Sequence, residues 1–267
     1  MKKYTISGLK LAVIALMLIS ISACSVKKPV INNNVAASGI TIKITGTTAK
    51  INRARVSIIA VGNYNRETFW TDTIKNDRFG ATVHVPRPGF YQIQFAGDYP
   101  PDSLAQGWLH SINLYLEDNC SYTISAGTDW SILHNHSKVY STSLVQKKLS
   151  LFDESFTDEL DFKNTEIARK SIAADLLEKA HRDTEYKQLS ASIENDDEEL
   201  KLFYSKFTRE FALKNPGSIV SVHKLLDVND MKKNRQAYLE IYDHLDEALK
   251  RKFETVNFKS KLDAAIK

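Results

Sequence analysis

Apolar and polar residues alternate through much of the first half of the chain and fall into helical stripes through the second. Ile40 to Thr45 (ITIKIT) puts an apolar residue at every other position, as a strand with one buried face does. Arg55 to Val61, Thr68 to Ile74, Phe79 to Val85, Phe90 to Phe95, Leu109 to Leu116 and Ser121 to Ser125 behave similarly. Gly62-Asn63, Asn76-Asp77 and Pro86-Arg87-Pro88-Gly89 supply turn chemistry between them. Seven short antiparallel strands over about 90 residues predict a β-sandwich.

Beyond residue 140 the period changes. Val145, Leu149, Phe152, Phe156 and Leu160 form one stripe along a helix. Ile167, Ile172, Leu176 and Ala180 predict a second, weaker helix. Leu200, Phe203, Phe207 and Phe211 give a third stripe, with Asn195-Asp196-Asp197 as its N-terminal cap region. Asn215-Pro216 should stop that helix and start the next, with Asn as cap and Pro at the first position. Ile219, Val222 and Leu226 line that helix, and Tyr238, Ile241, Tyr242 and Leu245 open a final stretch running as far as Ile266. The phenylalanine stripe is read as core. The expected fold class is α+β: an N-terminal antiparallel β-sandwich followed by a C-terminal helical domain.

Composition sharpens the division. Residues 24 to 140 carry 11 basic and 8 acidic residues, whereas residues 141 to 267 carry 22 and 24. Eight glycines fall in the first part and one, Gly217, in the second. We therefore expect a β-domain over residues 39–140 and a helical domain over 141–267.

The N-terminus has its own pattern. Lys2 and Lys3 precede an uninterrupted apolar run from Leu11 to Ile21, and the small residues Ser22 and Ala23 precede Cys24. These are the parts of a secretory signal over residues 1–23. The run of 11 residues is too short for a span, which needs about 20. Ile21-Ser22-Ala23-Cys24 resembles the lipobox of bacterial lipoproteins. The resemblance implies cleavage before Cys24, acylation of its thiol by palmitate-type chains, and attachment of the mature protein to a membrane. Ser25 stands where lipoproteins kept at the inner membrane often carry Asp, which implies an outer-membrane anchor facing the periplasm. Residues 24–38, polar and Asn-rich, suit a tether.

The whole chain has a formal charge of +4, three units of which come from Lys2, Lys3 and Lys10 with no acid beside them, leaving +1 after cleavage. Near-neutrality gives no electrostatic reason to bind nucleic acid. With Cys24 acylated, Cys120 is the one remaining thiol, so neither an intramolecular disulfide nor a Cys-x-x-Cys pair is possible. We read Cys120 as a buried small hydrophobe before a reactive thiol, and as a weak contact candidate.

Other residues invite chemistry and have plainer readings. His134-Asn135-His136 brings two imidazoles close, but zinc needs a third protein ligand and the sequence points to none. His84 and His110 are ordinary sheet histidines. Asp196-Asp197-Glu198-Glu199 is read as a solvated helix start. Phe69-Trp70, Trp108 and Trp130 are either sandwich core or a stacking surface; Trp108, after Gly107, is the best candidate for an exposed contact. No Gly-x-Ser-x-Gly, phosphate-binding glycine loop or zinc-protease helix occurs. We expect no catalytic residue, no metal and no cofactor.

The order of parts resembles exported thiol–disulfide interchange lipoproteins, which carry a β-domain of unknown function, a helical connector and a thioredoxin-like module. Three features carry the resemblance over about residues 39 to 266. They are the strand Ile40 to Gly46 after the lipobox, the strand pair Phe79 to Val85 and Pro88 to Ala96, and the helix break Phe211-Ala212-Leu213-Lys214-Asn215-Pro216-Gly217-Ser218-Ile219-Val220-Ser221. The family's redox module would begin about where this chain ends, at Lys267, and its Trp-Cys-x-x-Cys segment is absent. No catalytic residue carries over. The resemblance implies a stand-alone version of the accessory domains.

Three functions follow as expectations. The first is a non-catalytic envelope module that binds a periplasmic protein partner or itself. The second is an accessory component of a thiol–disulfide pathway, with Cys120 as the contact. The third is capture of a glycan or small ligand by the aromatic β-domain.

Overall fold

A computed structural model describes residues 39–48, 55–61, 67–96, 111–126 and 137–265. The signal, Cys24, the tether, Gly62-Asn63, Trp108, His110, Trp130 and the His134/His136 pair lie outside the described residues.

The described residues form an α+β fold with the β part first. Eight strands make two four-stranded sheets: β1 (Ile40–Thr48), β2 (Arg55–Ala60), β3 (Thr68–Thr73), β4 (Arg78–Val85), β5 (Gly89–Ala96), β6 (Ser111–Leu116), β7 (Ser121–Ala126) and β8 (Lys138–Ser141). One sheet has the order β4-β1-β7-β8 and the other β3-β2-β5-β6. Every pairing is antiparallel except that of β1 with β7, which run side by side in the same direction. That parallel pair is invisible to hydrophobic alternation, which reports a buried face and not a neighbour's direction.

β1 shows how sequence writes the sandwich. Its even-numbered positions, Ile40, Ile42 and Ile44 through to Thr48, are buried and its odd-numbered ones face outward. Ile42, Ile44, Val83 and Ile124 from one sheet meet Val56, Ile58, Ile93 and Leu114 from the other in a single apolar layer. Gly46 pairs with Phe79, and a β-carbon there would sit 2.0 Å from the Phe79 ring. The glycine lets the ring lie over the strand. Between β3 and β4 the chain turns at Asn76 and Asp77, with φ of 51° and 56°, as a two-residue hairpin turn of the primed type requires.

Six helices follow: α1 (Leu144–Lys179), α2 (Asp183–Lys214), α3 (Ile219–Leu225), α4 (Arg235–His244), α5 (Glu247–Lys250) and α6 (Phe253–Ala264). Ser143 caps α1, its hydroxyl accepting from the Gln146 amide at 2.9 Å. Four sequence expectations are corrected. The two helices expected from Val145 to Ala180 are one helix of 36 residues. α2 starts at Asp183, well before Asn195-Asp196-Asp197, which lie inside it. Asn215 and Pro216 stop α2 as expected but form a turn, and α3 begins at Ile219 after Ser218. Asn215 instead turns its amide back, donating to the Phe211 carbonyl at 2.8 Å. The last expected stretch is three helices, α4 to α6, broken at Leu245 and again after Lys250.

α1 and α2 form an antiparallel hairpin. Its turn is closed by His181 at φ 56°, with Arg182 donating to Leu177 and His181 to Glu178, a left-handed C-cap. A second apolar core joins α2 to α6 through Ala212, Val222, Leu225, Tyr238, Ile241, Phe258 and Leu262. No described helix is long and apolar enough to cross a membrane.

Candidate functional site

The outer face of the β3-β2-β5-β6 sheet is joined to the helices by a small set of contacts. Phe90 on β5 lies flat against His223 on α3, ring centres 3.6 Å apart and planes 5° apart. Gln146 on α1 accepts the Tyr115 amide of β6 at 2.7 Å. Asp153 on α1 accepts from Lys224 of α3 at 2.7 Å and from Asn113 of β6 at 3.5 Å. The Lys224 ammonium also stands 4.7 Å from the Phe152 ring centre. Three elements thus converge on one carboxylate. Burial, and next the neighbouring Lys224 charge, push His223 from its ordinary 6.5 down to about 3, with Asp153 opposing them. The imidazole stacked on Phe90 is thereby held in its neutral form.

A second polar knot ties α2 to α4. Arg209 and Tyr238 both donate to Asp230, and Asn234 adds a third donor at 2.7 Å. Burial raises the Asp230 carboxyl, but the bonds from Tyr238 and Arg209 outweigh it and hold the group below its ordinary range. All its charge is committed inside the fold.

Beside the joint lies an open groove of about 900 Å³. The β4–β5 turn contributes Arg87 and Pro88, the start of α1 contributes Leu144 and Lys148, and α5–α6 contribute Lys252 and Phe253. Leu144 is 77% exposed and Phe253 61%. Arg87 reaches across to Phe253, its guanidinium 5.5 Å from the ring centre. On the opposite wall Gly217 packs so closely that a β-carbon there would sit 2.5 Å from an Asp246 carboxylate oxygen. Lys148 is held by the Asn215 side-chain oxygen at 2.7 Å. The groove mixes exposed apolar side chains with both signs of charge.

The third feature is the far half of the hairpin. α1 spans about 54 Å and α2 about 48 Å at 1.5 Å per residue. Phe152 and Phe156 pack on Tyr204 and Phe207 near the body. Beyond them, of the side chains described between 161 and 204, Ala174 alone is buried. Ile172 and Leu176 are 39% and 61% exposed. Lys163 to Glu199, Lys170 to Asp196 and Lys201 to Asp197 form ion pairs along this arm. Such exposed pairs contribute little to stability. The arm has only itself to lean on.

Asp196-Asp197-Glu198-Glu199 is therefore an ion-paired mid-helix segment, not a helix start. Cys120 is half-buried against the sandwich core, its thiol 3.9 Å from Glu117. Phe69 and Trp70 are half-buried and pack against the same core, Phe69 edge-on to Tyr91 at 5.6 Å. His84 sits exposed on β4 and pairs with the Thr41 hydroxyl at 3.1 Å. Among the described residues no group of three or more metal-ligating side chains occurs. Sequence reasoning missed Arg87, Leu144, Asp153, Lys224 and Phe253, because each gains meaning only from partners distant in the chain. The one available signal was Leu144 and Phe253 as apolar residues off their helices' stripes. No protein-family model matches the chain, and no curated protein matches it.

Proposed function

We propose that the chain is a lipid-anchored envelope protein that binds a protein partner and performs no chemistry of its own, with the α1–α2 hairpin as the arm it presents. The observation that carries this reading is the unburied far half of that hairpin, where Ile172 and Leu176 are exposed on one continuous helix. Apolar side chains at helical spacing on a protruding arm are the anchors that helix-in-groove recognition uses. The lipobox residues Ile21 to Cys24 supply the anchor, and two or more acyl chains hold firmly where one holds weakly. Partner binding has more support than sugar capture because Phe69 and Trp70 are packed against the core. A thiol role has little support from a Cys120 that packs there too.

Three measurements test the reading. Mass spectrometry of the mature N-terminus should find acylated Cys24, and Cys24→Ala should release the protein from membranes. Chemical crosslinking in intact envelopes should capture a partner with the wild type and lose it with Ile172→Glu/Leu176→Glu. A captured partner indifferent to those charges would contradict the arm's role.

A further inference from the structure

We infer that the rim of the groove, built by Leu144, Phe253, Arg87 and Lys252, together with Val256 three residues along the helix from Phe253, rests on the surface of an anionic phospholipid bilayer. This inference rests on the reading of Cys24 as a lipid anchor. The place where the tether enters the body decides the matter. Gly39 abuts the end of β4: Ile40 pairs with Val85, and a β-carbon on Gly39 would sit 2.7 Å from the Val85 carbonyl oxygen. Arg87 follows two residues later and lies over Phe253. The tether therefore leaves the body beside the groove. Fourteen residues, 25–38, separate Cys24 from Gly39, and a random coil of that length would have an end-to-end distance of about 20 Å.

The opposite end of the body is out of that reach. α1 begins at Leu144 on the rim and runs about 54 Å to the hairpin turn. With the rim against the lipid, the arm points away from it, toward a partner in the aqueous space.

The rim also has the composition that an interface selects. Leu144 is 77% exposed, Phe253 61% and Val256 52%, with Phe253 and Val256 three residues apart on one face of α6. Around them the groove is lined by the three cations Arg87, Lys148 and Lys252 against the two acids Asp246 and Glu254, while Glu247 nearby in the chain is paired with Lys250. An aromatic and two aliphatic side chains enter the headgroup boundary, and the surplus of cations favours an anionic leaflet.

The test uses the full mature chain carrying Cys24→Ser, which removes the thiol of the lipobox, floated with vesicles of phosphatidylethanolamine and phosphatidylglycerol. We expect measurable binding, a loss of about tenfold with Phe253→Ser or Leu144→Ser, and no change with Leu176→Ser at the far end of the arm. Melting curves confirm that each variant is folded, since all three side chains are exposed. Absence of vesicle binding, equal binding by Phe253→Ser and Leu176→Ser, or attachment of a photoreactive residue at 253 to a protein and not to lipid would overturn the inference. Failure of the anchor reading shows separately, as an unacylated N-terminus in the wild-type protein.

Discussion

The two halves of α1 share one helix and differ in what surrounds them. Near the body Leu149 and Phe152 are fully buried, with Val220 and the aromatic rings of Tyr204, Phe207 and Phe211 around them. Past Leu160 the helix has α2 as its neighbour, and Ile172 and Leu176 stand in water. The contrast separates what makes a helix from what makes a core. A run without Gly or Pro lets the helix continue once its base is packed; a core needs a third element across the apolar face. A long arm whose stability is borrowed from its base is a device for reaching, at the cost of being easily opened at the tip.

The comparison is broken most forcefully at the base. Phe152→Ala should destabilise the protein by about 3–5 kcal/mol in denaturant unfolding, because it empties the centre of the aromatic cluster. Leu176→Ala on the same helix should change stability by about 0.5 kcal/mol or less. Equal losses at the two sites would mean that the halves are not distinct.

The joint between sheet and helices comes next. Asp153→Asn leaves the Lys224 ammonium, 9% exposed, without its countercharge, and should cost about 1–3 kcal/mol given partial solvation. His223 should give the joint a pH dependence. In the unfolded chain the imidazole takes up a proton below about 6.5, and in the fold it resists until about 3. Between those values the unfolded state holds the extra proton, so stability falls as pH drops through the window. His223→Phe keeps a ring against Phe90 and should flatten that slope; an unchanged slope would place the titration elsewhere. The smallest effect belongs to the arm's ion pairs. Lys170→Ala should leave the melting temperature nearly unchanged while speeding amide exchange between residues 165 and 179 relative to residues 144–160.

These differences explain what was legible in the sequence. The strands were readable because each has one face in the sandwich, so burial is printed as alternation, as in Ile40, Ile42 and Ile44. β8 escaped notice because Lys138–Ser141 is four residues long, with Val139 its one inward apolar side chain. α1 was split at its middle because the stripe that betrayed it ends where its packing ends, near Leu160. The helix continues; the core does not. Asn195-Asp196-Asp197 imitates a helix start, since a cluster favoured by the helix dipole looks the same as one whose acids are paired with Lys170 and Lys201. The groove rim was illegible for a different reason: Arg87, Leu144 and Phe253 are brought together only by the packing of sheet on helices.

The most direct test of the account places a photoreactive residue at either of two exposed positions on α1, Leu176 on the arm and Leu151 at its base, in cells with intact envelopes. A protein adduct of defined mass at 176 and none at 151 is the predicted result. Adducts of equal yield at both positions, or none at 176, would contradict the claim that the arm is held out for a partner.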